Sequence, residues 1–339
     1  MRFLITGGAG FLGSHVCEAL ARRGDHAVVL DDLSTGRLEN LEPARGHGRV
    51  EVCQGKAQDQ AVVDRLVATA DCVVHLAASV GVKLFHDDAV AAIDNNVTSA
   101  AIVLAAAARR GVPTLFASSS EVYGDGTPLP FAEDAPVQLG APDQMRSGYA
   151  LSKALGEQLA LAHARARRLP VVVARLFNVV GPRQAARYGM VLPRFLDQAR
   201  TGAPLTVYGD GAQTRCFTHV AEAARALLEL AACVSARGQV VNVGSRQECT
   251  ILALATQVRR ALGSRSELVF MPFAQAYSEA LADLQRRVPA LAKLESLLGW
   301  VPSADLARIV GDAAGSAAAR VADRKLREQV VGHDDPLRP

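Results

Sequence analysis

Along the first half of the chain, apolar residues fall in short, nearly unbroken runs. Arg2–Thr6, Ala27–Leu30, Arg49–Cys53, Cys72–His75, Thr114–Ala117 and Val171–Arg175 each read as a strand. Runs without polar alternation are expected of parallel strands covered on both faces. Between them the spacing changes to that of amphipathic helices, predicted over Leu12–Arg23, Gln60–Thr69, Val90–Arg110 and Ser147–Arg168. Strand–helix alternation of this kind predicts an α/β fold, a Rossmann-type doubly wound parallel sheet.

After Phe177 the rhythm shortens, and Gly181-Pro182, Pro193, Gly202, Pro204, Gly209 and Gly211 punctuate it. Helices are predicted over Val191–Thr201, Val220–Ala232, Thr250–Leu262 and Leu291–Leu298. The expected organisation is a main domain over 1–177 and a smaller mixed α/β C-terminal region over 178–320. A segment near 212–247 is expected to return to the main sheet, and 321–339 to be a frayed tail.

Composition narrows the class of function. Half the residues are apolar and 21% are charged, as in a globular protein. Thirty-seven basic residues against 34 acidic ones leave +3, spread without a stripe, so nucleic acid is not an expected partner. Cys17, Cys53, Cys72, Cys216, Cys233 and Cys249 form no CxxC and no Cys/His pair at ligand spacing. They read as reduced thiols of a cytoplasmic protein, with neither a disulfide framework nor a metal site expected. No stretch runs eighteen residues without a polar one, so no membrane span is expected.

The chemistry begins at the first strand–helix junction. Gly7, Gly10 and Gly13 frame a G-x-x-G-x-x-G turn that lets backbone approach a pyrophosphate at a helix N-terminus. A glycine triad alone also fits a plain flexible turn. Asp31 and Asp32, the first of them eighteen residues after Gly13, close the second strand where an acid binds ribose hydroxyls. A carboxylate there repels a 2′-phosphate and predicts NAD over NADP.

Tyr149 and Lys153 are spaced i, i+4 at a predicted helix start, which places them on one helix face. An ammonium and a nicotinamide cation nearby would lower the phenol pKa and make Tyr149 a base for a sugar hydroxyl. Ser118, Ser119, Ser120 and Glu121 follow the fifth strand at the carboxyl edge of the sheet, where ligands of such folds bind.

With these motifs the chain resembles the extended short-chain dehydrogenase/reductase superfamily, in its nucleotide-sugar epimerase/dehydratase/decarboxylase branch. The likeness runs from Met1 to about Ile309 and is carried by TGGAGFLGSH, DDLSTG, HLAA, NNV, SSSEVYGD, YALSK, RLFNVVGPRQ, PLTVYGDGAQTRCF and RRVPALAKLESLLGW. It implies a Ser119–Tyr149–Lys153 triad. It also implies NAD contacts from Phe11, Leu12, Ser34, Thr35 and Gly36, and from Leu76, Ala77, Ala78 and Asn96. Asn178 and Arg215 match residues that hold the substrate diphosphate, and Val207 and Tyr208 fall in the same substrate-binding stretches. Arg183 and Arg287 are further candidates, although an exposed arginine is usually a solvated charge.

Two departures stand out. Gly55-Lys56 replaces the usual Gly-Asp that helps seat adenine, with Asp59 as a possible substitute, and Arg287-Val288-Pro289-Ala290 lacks a terminal Asp. Ser120-Glu121, where dehydratases have Asp-Glu, resembles UDP-glucuronate decarboxylases. The expected reaction is therefore loss of CO₂ from UDP-glucuronate through a C4 ketone, giving UDP-xylose or UDP-4-keto-xylose, with Glu121 relaying a proton at C5. A UDP-sugar 4-epimerase, a 4,6-dehydratase and a non-catalytic NAD(H)-binding regulator are the alternatives. A homodimer is expected, with Val90–Arg110 and Ser147–Arg168 pairing with their symmetry mates in a four-helix bundle.

Overall fold

A computed structural model describes residues 1–138, 140, 145–186, 190–272 and 285–316. The tail at 321–339 lies outside them. Seven parallel strands form the central sheet in the order β11-β6-β5-β4-β1-β2-β3. They are β1 (Arg2–Thr6), β2 (His26–Asp31), β3 (Val50–Gln54), β4 (Cys72–His75), β5 (Thr114–Ser119), β6 (Val171–Leu176) and β11 (Val240–Val243). The order reverses between β1 and β4, and the crevice beyond the carboxyl ends of those strands is where such sheets bind ligands.

Helices cover both faces, which is why the strands carry apolar residues on either side. On one face α1 (Phe11–Arg22) and α8 (Val220–Ala232) bury Val16, Leu20, Leu227 and Leu230 against Ile5, Val29 and Val172. On the other, α3 (Gln60–Val67), α5 (Ala89–Arg110) and α6 (Met145–Arg167) bury Val63, Val103, Leu104 and Ala160 against Leu4, Val28 and Phe116. The short helices α2 (Glu42–Arg45) and α4 (Val82–Asp87) lie in the connections.

Local chemistry sets the helix ends. The Asp88 carboxylate accepts the Ala91 N–H at 2.9 Å to start α5, and Gly111 ends it in the left-handed region at φ 67°. On length and composition α5 is apolar enough to cross a membrane. Here it packs between α3 and α6.

Most of the remaining elements build a smaller unit. α10 (Ala292–Leu298) packs instead on α8 and β11, with Leu294 in the main core, and the unit itself consists of β7 (Val179–Val180), α7 (Val191–Thr201), β8 (Leu205–Tyr208), β9 (Thr214–Cys216), β10 (Thr218–His219), β12 (Glu248–Thr250), α9 (Ile251–Leu262) and β13 (Leu268–Met271). Phe195, Leu205, Val207, Leu254 and Val258 form its core, which a helix at 306–316 closes with Ile309 and Val310. No side chain caps α10, whose N-cap is Leu291, in keeping with the missing Asp.

Candidate active site

A cavity of about 880 Å³ opens at the carboxyl ends of β1, β2, β4 and β5 and extends under α7 and β8. That volume lies at the upper end of small-ligand sites, as two sizeable ligands side by side require.

The first wall is the glycine turn. A side chain at Gly7 (φ 72°) would place Cβ 2.8 Å from the Ala77 nitrogen, and one at Gly13 would overlap the Gly7 carbonyl. Only bare backbone fits between the two strand ends. Gly10 is the N-cap of α1 and has no side chain to cap it, so Phe11, Leu12 and Gly13 present the helix N-terminus to the cavity. Such a terminus suits an anionic pyrophosphate, and the site fits a dinucleotide. Asp31 accepts from Ala9 N and Leu33 N, both at 2.9 Å, so its carboxylate braces the turn as well as lining the cavity. Burial raises its pKa, against the hydrogen bonds from Leu33 and Ala9. Asp32, Ser34, Thr35, Leu76, Ala77 and Ala78 also line the cavity. Gly36 does not, but it lies tight against the Asp31 carboxylate.

Three sequence expectations are corrected here. Asn96 is 4% exposed and does not face the cavity. Its amide brackets Ser79 N at 2.7 Å and donates to Ser79 O and Ser152 Oγ, while Asn95 lines the cavity. Asp59 is no substitute for the missing adenine acid, because it caps α3 through Ala61 N and Val62 N. Val207 is fully buried in the small core, and strand alternation sends its neighbour Tyr208 to the cavity instead.

The second wall carries the reactive groups. β5 delivers Ser119 at its end, and the first turns of α6 deliver Tyr149 and Lys153. The Tyr149 hydroxyl is hydrogen-bonded to Ser119, whose Oγ also accepts from Glu121 N at 3.2 Å. The phenol pKa is not lowered as the spacing predicts: burial pushes it up, against the Ser119 hydrogen bond. The Lys153 ammonium instead donates to Ala117 O at 2.9 Å and lies over the Phe116 ring. Burial lowers its pKa from 10.5 to about 8, partly offset by Glu157.

Behind the triad, Glu157 takes Ser118 Oγ at 2.5 Å and both Nε and Nη2 of Arg175 at 2.9 and 2.8 Å. The Arg175 guanidinium stacks on Tyr123, whose hydroxyl donates to Asn242 on β11. This buried network ties β5, β6, α6 and β11 together beneath the reacting face.

The arginines differ from their expected character. Arg287 is 4% exposed and clasps both carboxylate oxygens of Glu121, 166 residues away, so it is not a solvated charge. Glu121 is correspondingly a partnered carboxylate on the cavity wall. Arg183 is half-buried, bonded to Glu18, His15 and the Asn40 carbonyl, and so bridges α1 to the 181–184 turn. Arg215 is 7% exposed, donates to Thr214 O and reaches the cavity. Asn178 and Arg183 are held at φ 36° and 69°, backbone that non-glycine residues seldom adopt, and both line the cavity. The Asn178 amide nitrogen is buried with no hydrogen-bond partner among the described residues. Gln184 and Gln213, which fall in the quoted stretches RLFNVVGPRQ and PLTVYGDGAQTRCF, also line the wall, and Phe85 and Arg194 join it without a motif that announces them.

The NAD dependent epimerase/dehydratase family matches this chain over residues 3–244. The protein belongs to that family. UDP-N-acetyl-alpha-D-glucosaminuronate decarboxylase of Bacillus cytotoxicus is 37% identical over 303 residues, spanning 89% of this chain and 93% of that one. UDP-glucuronic acid decarboxylase 1 of Danio rerio is 36% identical over 301 residues, 89% of this chain and 69% of that one. Among solved structures, a UDP-glucuronic acid 4-epimerase of Bacillus cereus, in complex with UDP-4-deoxy-4-fluoro-glucuronic acid and NAD, superposes with a TM-score of 0.82. It is 25% identical, covering 94% of this chain and all of that one. Membership in this family makes NAD the cofactor of the glycine-turn wall.

Proposed function

We propose that this family member decarboxylates a UDP-linked hexuronate, with UDP-glucuronate as the reference substrate and UDP-xylose or UDP-4-keto-xylose as the product. The observation that carries the reading is the Glu121–Arg287 pair, with Glu121 two residues beyond the Ser119 that hydrogen-bonds Tyr149. A hexuronate carboxylate stands two carbons from C4, so a sugar held with C4 at Tyr149 brings its C6 carboxylate to this pair.

NAD, when bound, would supply the hydride acceptor for C4 and, where the keto pentose stays bound, the hydride that returns to C4 to give UDP-xylose; release of the keto pentose would leave the cofactor reduced. Tyr149 takes the C4 hydroxyl proton, and Lys153 lends positive charge along the same wall. The resulting ketone is β to the carboxylate. The C5–C6 bond then breaks with its electrons delocalised to the C4 oxygen, where Tyr149 and Ser119 donate hydrogen bonds. Glu121 and Arg287, or a water they orient, return a proton to C5. Asn178 and Arg215 hold the diphosphate. Residues 1–177 serve the cofactor and 178–320 the sugar nucleotide.

A homodimer in the cytoplasm completes the reading. Val90 and Ile93 on α5 and Leu151 and Leu155 on α6 leave apolar side chains exposed on adjacent helices, a face suited to a symmetric four-helix contact.

The likeness to a UDP-glucuronic acid 4-epimerase favours a second reading, inversion at C4 with the carboxylate retained. Mass spectrometry of the nucleotide sugar separates them. With NAD and either UDP-glucuronate or its 2-acetamido counterpart, decarboxylation gives a product lighter by CO₂, whereas an isomer of unchanged mass sinks the proposal.

A further inference from the structure

Arg194 has no part in the chemistry described above. It lies on α7, one turn in from Val191, and reaches across the cavity wall to the end of β8. Its guanidinium lies 4.0 Å from the Tyr208 ring centroid, and Nη2 donates to Thr206 O at 3.1 Å. Its Nε is buried with no hydrogen-bond partner among the described residues, so those residues leave a donor on this wall unsatisfied. Arg287 also keeps an Nε unpartnered among the described residues, but its two terminal nitrogens clasp Glu121, and the Arg183 guanidinium is held by Glu18, His15 and the Asn40 carbonyl.

The surroundings decide what satisfies that donor. Val191, Phe217 and Ile251, which pack in the small core with Val207, add apolar surface to this wall, and Gln213, whose amide donates to Tyr208 O, adds a polar group. A phosphate would lose its hydration there with little return, whereas a flat heterocycle stacks on ring and guanidinium alike. Such a base also offers edge carbonyls to an arginine N–H.

We infer that Arg194 is a specificity-determining residue, which reads the pyrimidine base of the substrate through a carbonyl and thereby selects uracil over cytosine. Cytosine replaces the 4-carbonyl by an amino group, so a donor would face a donor. The inference rests on the proposed UDP-sugar chemistry.

The test measures binding, not turnover. UDP and CDP are titrated calorimetrically into NAD-saturated wild type, Arg194→Leu and Arg194→Lys, with the NAD affinity and melting temperature of each variant as folding controls. Wild type should prefer UDP by about tenfold or more, the discrimination typical of one well-placed polar contact. In Arg194→Leu the preference should collapse toward unity, chiefly through weaker UDP binding, and Arg194→Lys should fall between. A Leu variant that keeps the wild-type ratio within about twofold overturns the inference, as does a wild type that binds both nucleotides equally. A wild type that binds neither nucleotide overturns the UDP-sugar reading itself, and the role of Arg194 falls with it.

Discussion

Lys153→Met should make this protein more stable while abolishing its activity. Lys153 is 6% exposed, and burial holds its pKa near 8 instead of 10.5. At 1.36 kcal/mol per pH unit, keeping the ammonium charged at neutral pH therefore costs about 3 kcal/mol. The substitution also removes the hydrogen bond to Ala117 O, which returns about 1 kcal/mol of that gain. A Met thioether keeps contact with Phe116, and Glu157 keeps Arg175, so the net gain should be about 2 kcal/mol at pH 7.

The sign of the pH dependence follows from linkage. Below pH 8 the lysine is protonated in both folded and unfolded chains. Between about 8 and 10.5 only the unfolded chain holds the proton, so wild-type stability rises with pH across that window. The advantage of the Met variant should accordingly shrink as pH rises from 8. Urea unfolding of both proteins at matched concentration, at pH 7 and again near 9.5, measures it. A variant less stable than wild type at pH 7, or an advantage that does not change with pH, would refute the reasoning.

Three further outcomes are expected. Titrations should show strong preference for NAD over NADP, because the Asp31 carboxylate on the cavity wall at the end of β2 would repel a 2′-phosphate; equal affinities would remove that assignment. Glu121→Gln should leave NADH formation detectable while lowering pentose output by about 10²–10⁴-fold, since the substitution weakens the clasp on Arg287 as well as proton delivery; output within a factor of about three would mean that the pair is only structural. Light scattering at micromolar concentration should report a dimer, and Leu155→Glu on the exposed α6 face should dissociate it; a wild-type monomer rules out the symmetric helix contact.

Six of the seven sheet strands were legible from their nearly unbroken apolar runs, β11 only as part of a segment near 212–247 expected to return to the sheet, and the α5 and α7–α9 boundaries fall within two residues of those read from spacing. Glycine turn, Asp31, Tyr149 and Lys153 were legible because their spacing along one turn or one helix face is fixed locally. What lay hidden depends on contacts between distant segments. Nothing near Glu121 announces Arg287, and no helix periodicity says that Asn95 rather than Asn96 meets the cavity. Val207 is a different case, since period-two alternation already allows only one of Val207 and Tyr208 to face the ligand. Burial explains the reversed expectation for Tyr149: a spacing reports that an ammonium is near, but not that the site is dry and that Lys153 points to a carbonyl. The phenol therefore needs the Ser119 hydrogen bond, and a cofactor charge when NAD is bound, to act as a base.

The most direct test of the decarboxylation itself follows the carboxyl carbon. Wild-type protein is given NAD and UDP-glucuronate labelled with ¹³C at C6, and the label is traced by NMR. The account predicts that it leaves as ¹³CO₂ or bicarbonate as a UDP-pentose or its 4-keto form appears, and that Tyr149→Phe releases none. Label retained in UDP-galacturonate, or release that survives loss of the Tyr149 hydroxyl, would contradict it.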